Sequence, residues 1–439
     1  METRILRVPD NQSFGNFETG SGLERWNLNA DNVEATRILR EAGEYLRTKD
    51  TPVAFPTETV YGLGADATRS ASVRGIYTAK NRPSDNPLIS HVCDLEMLRD
   101  LLGGKDGSGS ASAEKSDDLI PWRYKSLIER FWPGPLTILL PNPSQPKLAP
   151  EVTAGLSTFG VRMPSSALAL SLIKLSGVPL AAPSANASTK PSPTTAQHVK
   201  HDLDGRIELI LDGGACQVGV ESTVVDGLSD PPAVLRPGGL SMDELRSCPG
   251  WENVVKGYKD HSENGQAPRA PGMKYKHYSP KATVVLYEAS YQSQGEGISL
   301  DDIESAYTAQ SQGSNGKSQP IVGVVRTQRW KQAAGLKTSE LRLARAGENK
   351  QNGDKKQADT PYSVLEGALT NNDGETVGVV LDIDLGKDTR GIAQGLFSAL
   401  RELDLLGADI IFVEGIEDKS DIAEAVMNRL RKAASDIRA

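Results

Sequence analysis

The chain has 439 residues, a formal net charge of −8 and 24% charged residues, and this length predicts two domains rather than one compact core. No apolar run reaches the length of about 18 residues that a membrane-spanning helix needs, so no such helix is predicted. The acidic balance disfavours a protein that works chiefly by binding nucleic acid phosphates, although a local basic patch remains compatible with it.

The cysteines Cys93, Cys216 and Cys248 are widely spaced and form no Cys-x-x-Cys motif. They are predicted to be free thiols in a reducing compartment. No apolar signal-peptide core follows Met1, and early acidic residues disfavour a transit peptide. A cytoplasmic location is therefore predicted, with a mitochondrial pool left open.

The first elements in chain order are a flexible arm and a helix. Residues 1–30 are polar, rich in Gly, Ser and Asn, and without periodicity, which is typical of an unstructured arm. Asp31 and Glu34 form a predicted capping box at the start of the helix. Apolar residues fall on one face of this helix at Val33, Ile38, Leu39, Ala42 and Leu46.

Strands and helices then alternate up to about residue 248, which indicates a mixed α/β domain. The predicted helices are Ser72–Lys80, Leu95–Leu102 and Tyr124–Trp132. The predicted strands are Val53–Phe55, Leu88–Val92, Leu136–Leu140, Gly160–Met163, Pro179–Ala182, Leu209–Leu211, Ser222–Val225 and Ala233–Leu235. Gly103–Lys115 is predicted to be an inserted surface loop.

A second alternating pattern follows residue 281 and predicts a small parallel sheet. Its strands are expected at Thr283–Tyr287, Ile321–Val325, Val377–Asp382 and Asp409–Val413, and its helices at Ser363–Leu369, Ile392–Leu405 and Ile422–Arg431. The predicted boundaries are a flexible arm at 1–30, a first domain at 31–248, an interdomain linker at 249–281 and a C-terminal domain at 282–439.

Two motifs are weak candidates for sites. Gly62–Ala67 resembles a dinucleotide fingerprint, but Pro56–Tyr61 separates it from the preceding strand, where the motif should follow directly. Asp382 and Asp384 could hold a metal, yet such a pair at the end of a strand more often only contacts solvent. No metal site is predicted.

Polar segments rich in Gly and Pro follow the strands of the first domain. They are Pro56–Leu63, Lys80–Leu88, Phe131–Thr137, Ala182–Asn186, Ser192–Thr194, Asp212–Gly214, Gly219–Val224 and Leu235–Gly238. Open loops of this kind can direct backbone N–H groups at phosphate oxygens. Positive charge would come from Lys80, Arg82, Arg162 and Arg236. The pattern predicts an anion-binding cleft that works by positioning and charge stabilisation, since no Ser-His-Asp or Cys-His set accompanies it.

These segments resemble, in order, those of the threonylcarbamoyl-AMP synthase family. The Lys80–Leu88 stretch, the Ser184-Ala185-Asn186 triplet and Gly219–Val224 are specific in combination. The likeness extends through Pro271–Lys281, which is similar to the linker of the family's long form, and includes Gly395–Arg401 in the C-terminal part. The resemblance implies a YrdC-like twisted mixed sheet with helices, plus a smaller Rossmann-like α/β C-terminal domain, with the linker lying over the active site.

The resemblance implies an L-threonylcarbamoyladenylate synthase, a nucleotidyltransferase. Threonine would capture bicarbonate or CO₂ as a carbamate, which would attack the α-phosphate of ATP and release pyrophosphate. Mg²⁺ would travel with the triphosphate. The product would serve a KEOPS-like tRNA threonylcarbamoyl transferase complex, for modification next to the anticodon. The basic linker is a candidate for a weak tRNA contact, and no membrane partner is expected.

The resemblance also assigns residues to roles. Lys80 and Arg82 are the catalytic candidates, with Lys80 adding stabilisation of the phosphates. The ATP-binding set is Arg82, Asn86, Thr158, Ser184, Ser192, Arg236 and Tyr278. The threonine-binding set is Thr59, His91, Arg162, Ala182 and Ser222. Arg162 suits the amino-acid carboxylate because a guanidinium binds it bidentately.

One position departs from the family pattern, and three other functions stay open. After Asn186 the family usually has a Ser-Gly pair, where this chain has Ser188-Thr189. The first alternative is a double-stranded RNA- or tRNA-binding module without catalysis. The second is a carbamoyltransferase that uses carbamoyl phosphate, and the third is a regulatory or telomere-associated interaction protein.

Overall fold

A computed structural model describes residues 1–9, 14–20, 22–29, 33–103, 119–258, 277–291, 297–310, 319–344, 362–418 and 422–439. The chain divides into two compact units. Unit 1 comprises Met1–Ser188 and Ser192–Tyr275, and unit 2 comprises Thr189–Pro191 and Lys276–Ala439. Asp31 of the predicted capping box, most of the predicted inserted loop and residues 259–276 of the linker lie outside the described residues. In the described part of the chain, no helix combines the length and apolarity needed to cross a membrane.

Unit 1 is built on a long mixed sheet. Its strands are β1 (Arg4–Arg7), β4 (Val53–Pro56), β5 (Tyr61–Asp66), β6 (Ile89–His91), β7 (Leu136–Pro141), β8 (Thr158–Arg162), β9 (Leu180–Ala181), β10 (Leu209–Asp212), β11 (Thr223–Asp226), β12 (Ala233–Arg236) and β13 (Val255–Lys256), while β2 (Gly15–Phe17) and β3 (Trp26–Leu28) form a separate hairpin. The spatial order is β1-β10-β4-β5-β9-β6-β8-β7-β11-β12-β13. The sheet contains both parallel pairs, such as β6 with β8, and antiparallel pairs, such as β7 with β8.

The helices of unit 1 cover the sheet with their apolar faces. They are α1 (Val33–Thr48), α2 (Ser70–Lys80), α3 (Leu95–Leu101), α4 (Lys125–Phe131), α5 (Pro150–Thr153), α6 (Ala167–Ser176), α7 (Ala196–Leu203) and α8 (Met242–Arg246). In α1, Ile38, Leu39, Ala42 and Leu46 are buried as their helical spacing predicts. Val33 is 75% exposed, so its predicted place on that face is wrong.

Strands β6, β7 and β8 separate two apolar clusters. Leu136, Ile138 and Val161 belong to the main core, whereas Ile89 and Leu139 belong to a small second cluster. Side chains of a strand alternate between faces, so the sheet carries the main core on one face and a different surface on the other. This second face holds the predicted site.

The prediction of a flexible arm is wrong for the first residues. Strand β1 pairs in parallel with β10 along its length. Thr3 Oγ1 donates to the Ile207 carbonyl at 2.5 Å, and the Val8 N–H donates to Asp212 O at 2.8 Å. The sequence of this segment lacks a clear period because the strand is short and lies at the edge of the sheet.

Unit 2 is a smaller α/β layer. Its strands are β14 (Thr283–Tyr287), β15 (Ile321–Arg326), β16 (Arg342–Leu343), β17 (Val364–Thr370), β18 (Thr376–Asp384), β19 (Ile410–Glu414) and β20 (Asp436–Arg438), and its helices are α9 (Leu300–Gln310), α10 (Thr389–Leu405) and α11 (Ala423–Ala433). The spatial order is β16-β17-β18-β15-β19-β14-β20, and β18, β15, β19, β14 and β20 run parallel. The predicted parallel sheet is confirmed for these five strands, whereas β17 pairs antiparallel with β18 and β16 antiparallel with β17.

The predicted helix at Ser363–Leu369 is wrong. Residues Val364–Thr370 form β17, which pairs antiparallel with β18 along its length. A seven-residue helix has little stability of its own, and the long neighbouring strand offers a full set of hydrogen bonds instead. Gly367 lies at the centre, where a Cβ would come within 2.6 Å of Leu341 Cδ2. A side chain at this position would therefore have to displace the end of Leu341.

Asp382 at the end of β18 is explained by an ion pair. Its carboxylate accepts from Arg326 Nε at 2.8 Å and from Nη2 at 3.0 Å, and Asp384 binds the same guanidinium. The two aspartates of β18 therefore connect this strand to β15 through Arg326. Throughout the described residues, no group of three or more His, Cys, Asp or Glu side chains is arranged to hold a metal ion.

Candidate functional site

Three polar side chains form a row across the second face of the sheet in unit 1. His91 on β6 is in register with Arg162 on β8, and Arg162 is in register with Thr137 on β7. Residues in register on adjacent strands point to the same face. All three are buried, so the row forms the floor of a polar site surrounded by the segments that the sequence singled out.

Arg162 is held in a fixed orientation by the segment after β4. Its Nε donates to Gly134 O at 3.1 Å, its Nη1 to Thr59 Oγ1 at 2.9 Å and its Nη2 to Glu58 Oε1 at 2.5 Å. These contacts use three of the five N–H donors of a guanidinium. With respect to the described residues, two N–H groups remain for a ligand, and a carboxylate is the group whose geometry they match.

The Thr57–Val60 segment positions Thr59 beside this guanidinium. Thr57 Oγ1 lies 2.8 Å from Thr59 Oγ1 and donates to Val60 O at 2.7 Å. The hydroxyl of Thr59 is thereby fixed between Thr57 and Arg162. Ala182, also predicted for the threonine pocket, is buried and donates its N–H to Ile89 O at 2.9 Å, which places it beside the same row.

His91 is a neutral imidazole in this site. Burial, together with the positive charge of Arg162, lowers the pKa of His91 to about 3. Its Nδ1 has no hydrogen-bond partner among the described residues. A buried ring nitrogen without a partner is costly, so this atom is suited to contact a polar ligand.

Ser222 connects the row to Arg236. Its hydroxyl lies 2.8 Å from Thr137 Oγ1 and accepts from Arg236 Nη2 at 3.0 Å. Arg236 also donates from Nε at 3.1 Å and from Nη2 at 3.0 Å to the carbonyl of Ser222. The predicted threonine-binding Ser222 and the predicted ATP-binding Arg236 are therefore in direct contact.

Lys80 holds the loop after β9. Its buried Nζ donates to Ser184 O and to Asn186 O, each at 2.5 Å, and lies 3.4 Å from Asn186 Oδ1. Ser184 Oγ donates to the same Asn186 Oδ1 at 2.6 Å. Lys80 therefore positions this loop, and its predicted role in stabilising the phosphates stays a prediction.

Arg82 and Asn86 lie in the segment after α2. Asn81 ends that helix in the left-handed conformation, with a φ of 52°, which a short amide side chain tolerates. Arg82 is partly exposed and donates from Nη2 to Pro87 O at 3.0 Å. Asn86 is buried, and its Oδ1 finds no partner among the described residues. Like His91, Asn86 presents an atom suited to a ligand.

Thr158 and Ser192 complete the predicted nucleotide set in unit 1. Thr158 begins β8 and faces the same side as Arg162 four residues later, about 13 Å away along the strand. Gly160 lies between them, and a Cβ there would come within 3.3 Å of Thr137 Cγ2. Ser192 Oγ donates to Glu221 Oε1 at 2.5 Å. The nucleotide-binding roles of Thr158 and Ser192 stay predictions.

Tyr278, the remaining predicted ATP ligand, belongs to unit 2. Its ring stacks on Phe397 with centroids 5.2 Å apart, and the guanidinium of Arg429 lies 5.7 Å from the ring centroid. The backbone φ of Tyr278 is 65°. Its role toward ATP stays a prediction.

Glu58, Thr137 and Glu221 are site residues to which sequence reasoning assigned no role. All three lie inside segments that the sequence analysis had selected, but the hydrogen bonds that give them a role join residues far apart in the chain. For Glu58 and Glu221 the available signal was a carboxylate in a segment predicted to be buried, because a buried carboxylate requires a cationic or hydroxyl partner. Thr137 gave no such signal.

The three cysteines are free and buried. Burial raises the pKa of the Cys93 and Cys216 thiols well above their ordinary value. Thiols in this state are poor nucleophiles, in agreement with a site that works without covalent catalysis.

Comparisons with known proteins cover nearly the whole chain. Residues 46–238 match a family model described as "Telomere recombination", and residues 240–435 match one described as "Threonylcarbamoyl-AMP synthase, C-terminal domain". The chain is 45% identical to the threonylcarbamoyl-AMP synthase of Schizosaccharomyces pombe, across 99% of this chain and 98% of the relative. It is 38% identical to the enzyme of the same name from Bacillus subtilis, across 94% and 97%.

A solved structure agrees with these relatives. The crystal structure of P. abyssi Sua5 complexed with L-threonine matches with a TM-score of 0.67 and 33% identity, and 99% of each chain is covered. The predicted fold class, a YrdC-like mixed sheet followed by a smaller Rossmann-like domain, is confirmed by this match and by the two family models.

Proposed function

The chain belongs to the threonylcarbamoyl-AMP synthase family, and from this premise we propose how its cleft joins L-threonine, bicarbonate and ATP. The enzyme is a nucleotidyltransferase whose products are threonylcarbamoyl-AMP and pyrophosphate. The observation that carries the proposal is the Arg162 guanidinium, which is fixed by Glu58 and Thr59 and keeps two N–H donors for a carboxylate.

The threonine pocket is built around this guanidinium. Arg162 binds the substrate carboxylate bidentately, while the neutral His91 ring and the hydroxyls of Thr59 and Ser222 contact the polar groups of threonine. Ala182 lines the pocket near the threonine methyl group. A neutral His91 does not repel the ammonium or carbamate end of the substrate, so binding and carbamate formation can share one pocket.

The nucleotide lies toward the Thr158 end of β8. The positive charge and the hydrogen-bonding groups for the phosphates and ribose come from Arg82, Arg236, Asn86, Ser184 and Ser192. Tyr278 contacts the nucleotide from the linker. Mg²⁺ enters as part of the Mg–ATP substrate. Lys80 acts through Ser184 and Asn186, which it holds.

The reaction needs positioning and charge stabilisation. A carbamate oxygen forms a bond with the α-phosphorus, the bond from this phosphorus to the bridging oxygen breaks, and pyrophosphate leaves with the electron pair. Charge that develops on the phosphoryl oxygens is stabilised by Arg82 and Arg236. The product then passes to a tRNA threonylcarbamoyl transferase, as the downstream step for the anticodon-adjacent modification.

The test is ATP cleavage followed by chromatography of the nucleotide products. Release of pyrophosphate that requires both L-threonine and bicarbonate, with a labile new adenylate, is expected. The matched control is Arg74→Ala, an exposed arginine paired with Glu151, which should retain full turnover, whereas Arg82→Ala should abolish it. Co-substrate-independent cleavage, or none from folded protein, would reject the synthase.

The RNA-binding alternative predicts a different result in the same preparation. A mobility shift of tRNA that weakens with salt and does not depend on nucleotide would favour that alternative. A synthase with only a weak tRNA contact from its linker shows turnover without such a shift at physiological salt.

A further inference from the structure

The polar row on the second face of the sheet in unit 1 continues beyond Thr137. Thr137 on β7 is in register with Val224 on β11, and Val224 is in register with Arg236 on β12. On its other side, Thr137 is in register with Arg162 on β8. Residues in register on adjacent strands share a face. Thr137 therefore lies in one row with both guanidiniums, and the strand order β8-β7-β11-β12 puts three spacings of about 4.8 Å between their backbones.

The hydroxyl of Ser222 connects Thr137 with Arg236. Ser222 Oγ accepts from Arg236 Nη2 at 3.0 Å and lies 2.8 Å from Thr137 Oγ1. Within the part of the chain that the structure describes, the Thr137 hydroxyl forms no other hydrogen bond. The two hydroxyls therefore form a pair that belongs to the same row as the guanidiniums.

This pair of hydroxyls has one proton more than it has acceptors. A hydroxyl carries one donor and two acceptor lone pairs, whereas a guanidinium only donates. Whichever hydroxyl donates across the 2.8 Å contact, the other keeps a proton for which the described residues provide no acceptor. A buried donor without an acceptor is costly, so the pair is suited to a ligand that offers an acceptor oxygen.

The remaining proton belongs to Ser222. Thr137 lies within a central strand and is fully enclosed, whereas Ser222 directly precedes β11 and keeps 1% of its surface exposed. With Thr137 as the donor, the two lone pairs of the Ser222 oxygen are occupied by Thr137 and Arg236. Ser222 is then left with its proton alone and contacts a ligand only as a donor.

The charges on either side select the acceptor that this proton meets. Two guanidiniums favour an anionic group at a position between them. In the proposed reaction the substrate carboxylate lies on Arg162 and the phosphates lie near Arg236, so the anionic group between them is the carbamate. The carboxylate and the carbamate nitrogen are bonded to the same carbon atom of threonine, so the two groups fit neighbouring positions of the row.

We propose that Thr137 is a positioning residue, which donates to Ser222 and so fixes the Ser222 hydroxyl as a donor to the carbamate. One carbamate oxygen is held by Ser222 while the other attacks the α-phosphorus. The pair thus recognises the group that bicarbonate contributes and has no part in binding the threonine carboxylate. The inference rests on the proposed function, because the carbamate forms only in that reaction.

The test compares Thr137→Val with Thr137→Ser in the full chain, by pyrophosphate release at varied bicarbonate and varied ATP. Valine keeps the branched shape and removes the hydroxyl, whereas serine keeps the hydroxyl. Thr137→Val should raise the KM for bicarbonate about fivefold, the scale of one lost neutral hydrogen bond, and leave the KM for ATP within about twofold. Thr137→Ser retains the donor, so both KM values should stay within about twofold of the wild type.

Two controls separate this role from general damage. Thr153→Val makes the same change at a buried threonine of α5, whose hydroxyl donates to Pro150 O at 3.2 Å, and should leave both KM values unchanged. Calorimetric titration of L-threonine without bicarbonate or nucleotide measures binding of the amino acid before the carbamate forms. Its Kd in Thr137→Val should lie within about twofold of the wild-type Kd, because Arg162 still binds the carboxylate bidentately.

The other outcomes decide against the proposal. An unchanged KM for bicarbonate in folded Thr137→Val, a rise that Thr137→Ser shares, equal rises in both KM values, or a weaker Kd for L-threonine alone would each overturn it. If the valine variant does not fold, Thr137→Ala removes the hydroxyl and is judged by the same comparison. Absence of turnover in the wild-type chain would reject the proposed function and this role together, whereas an active wild type with an unchanged Thr137→Val variant would reject this role alone.

Discussion

At the scale of single residues, the site depends on buried polar groups whose partners lie far away in the chain. Arg162 is oriented by Glu58, about a hundred positions earlier in the sequence, through a 2.5 Å ion pair that is almost fully buried. Separating a buried ion pair leaves an uncompensated charge in the interior, so the two side chains are held in one geometry. The orientation of the guanidinium is therefore as important as its charge.

Replacing Arg162 by Lys should separate these two properties. Lysine retains the charge opposite Glu58 but lacks the planar fork that binds a carboxylate bidentately. We expect the KM for L-threonine to rise at least about tenfold, the scale of one charged hydrogen bond, with little change in the KM for ATP. The control is Arg74→Lys at the exposed pair with Glu151, and equal KM values for threonine in the two variants would contradict the assignment.

His91 predicts a dependence of stability on pH. Its folded-state pKa of about 3 lies below the ordinary value of 6.5, so the unfolded chain binds a proton between these values while the folded chain does not. The free energy of unfolding should therefore fall as pH decreases below 6.5, by about 2 kcal/mol at pH 5 from this group alone. The measurement is denaturant titration at pH 5 and at a pH above 6.5. The fall in the free energy of unfolding between the two should be smaller in His91→Gln than in the wild type. An identical fall in the variant would show that the ring is not buried as a neutral base.

At the scale of elements, short strands depend on pairing rather than on their own sequence. The segment of β1 was predicted to be part of a flexible arm and the segment of β17 to be a helix. Both predictions relied on the local sequence pattern alone. Each is instead determined by a neighbour, β10 for the former and β18 for the latter. Context of this kind commonly overrides local propensity in strands.

Deleting residues 1–9 tests the role of β1. The deletion removes the pairing with β10, the buried Val8 side chain and the Thr3 hydrogen bond to Ile207, at an expected cost of about 2–3 kcal/mol. The Tm of unit 1 should fall by roughly 5–10 °C. Deletion of the exposed Glu2 alone is the control, and a Tm equal to that control would mean that the segment is a dispensable arm.

At the scale of the whole molecule, each unit has its own hydrophobic core. The core of unit 1 is built on strands such as β4, β7 and β8, and a separate cluster in unit 2 includes Val285, Val324 and Phe412. Chains with separate cores commonly depart from two-state unfolding.

Calorimetry should therefore resolve two thermal transitions. L-Threonine at about one hundred times its Kd should stabilise the transition of unit 1 by about 2.7 kcal/mol, because the pocket around Arg162 lies within that unit. Glycine at the same concentration is the control for nonspecific effects. A single transition whose calorimetric and van't Hoff enthalpies agree would show that the units unfold as one.

The sequence by itself determined the α/β class, most central strands and helices, and the segments that carry the site. These features follow from local signals, since apolar periodicity depends on neighbouring residues and Gly, Pro and Asn mark turns wherever they occur. The resemblance carried by Lys80–Leu88, Ser184–Asn186 and Gly219–Val224 further identified the family, which the comparisons confirmed.

Only the tertiary structure decided how these segments combine. Arg162 pairs with Glu58, and Lys80 holds Ser184 and Asn186. These contacts join residues about one hundred positions apart in the chain. Hydrogen bonds and burial depend on distance in space, and separation along the chain carries no information about that distance. The same reason explains why the places of β1 and β17 became evident only from their partner strands.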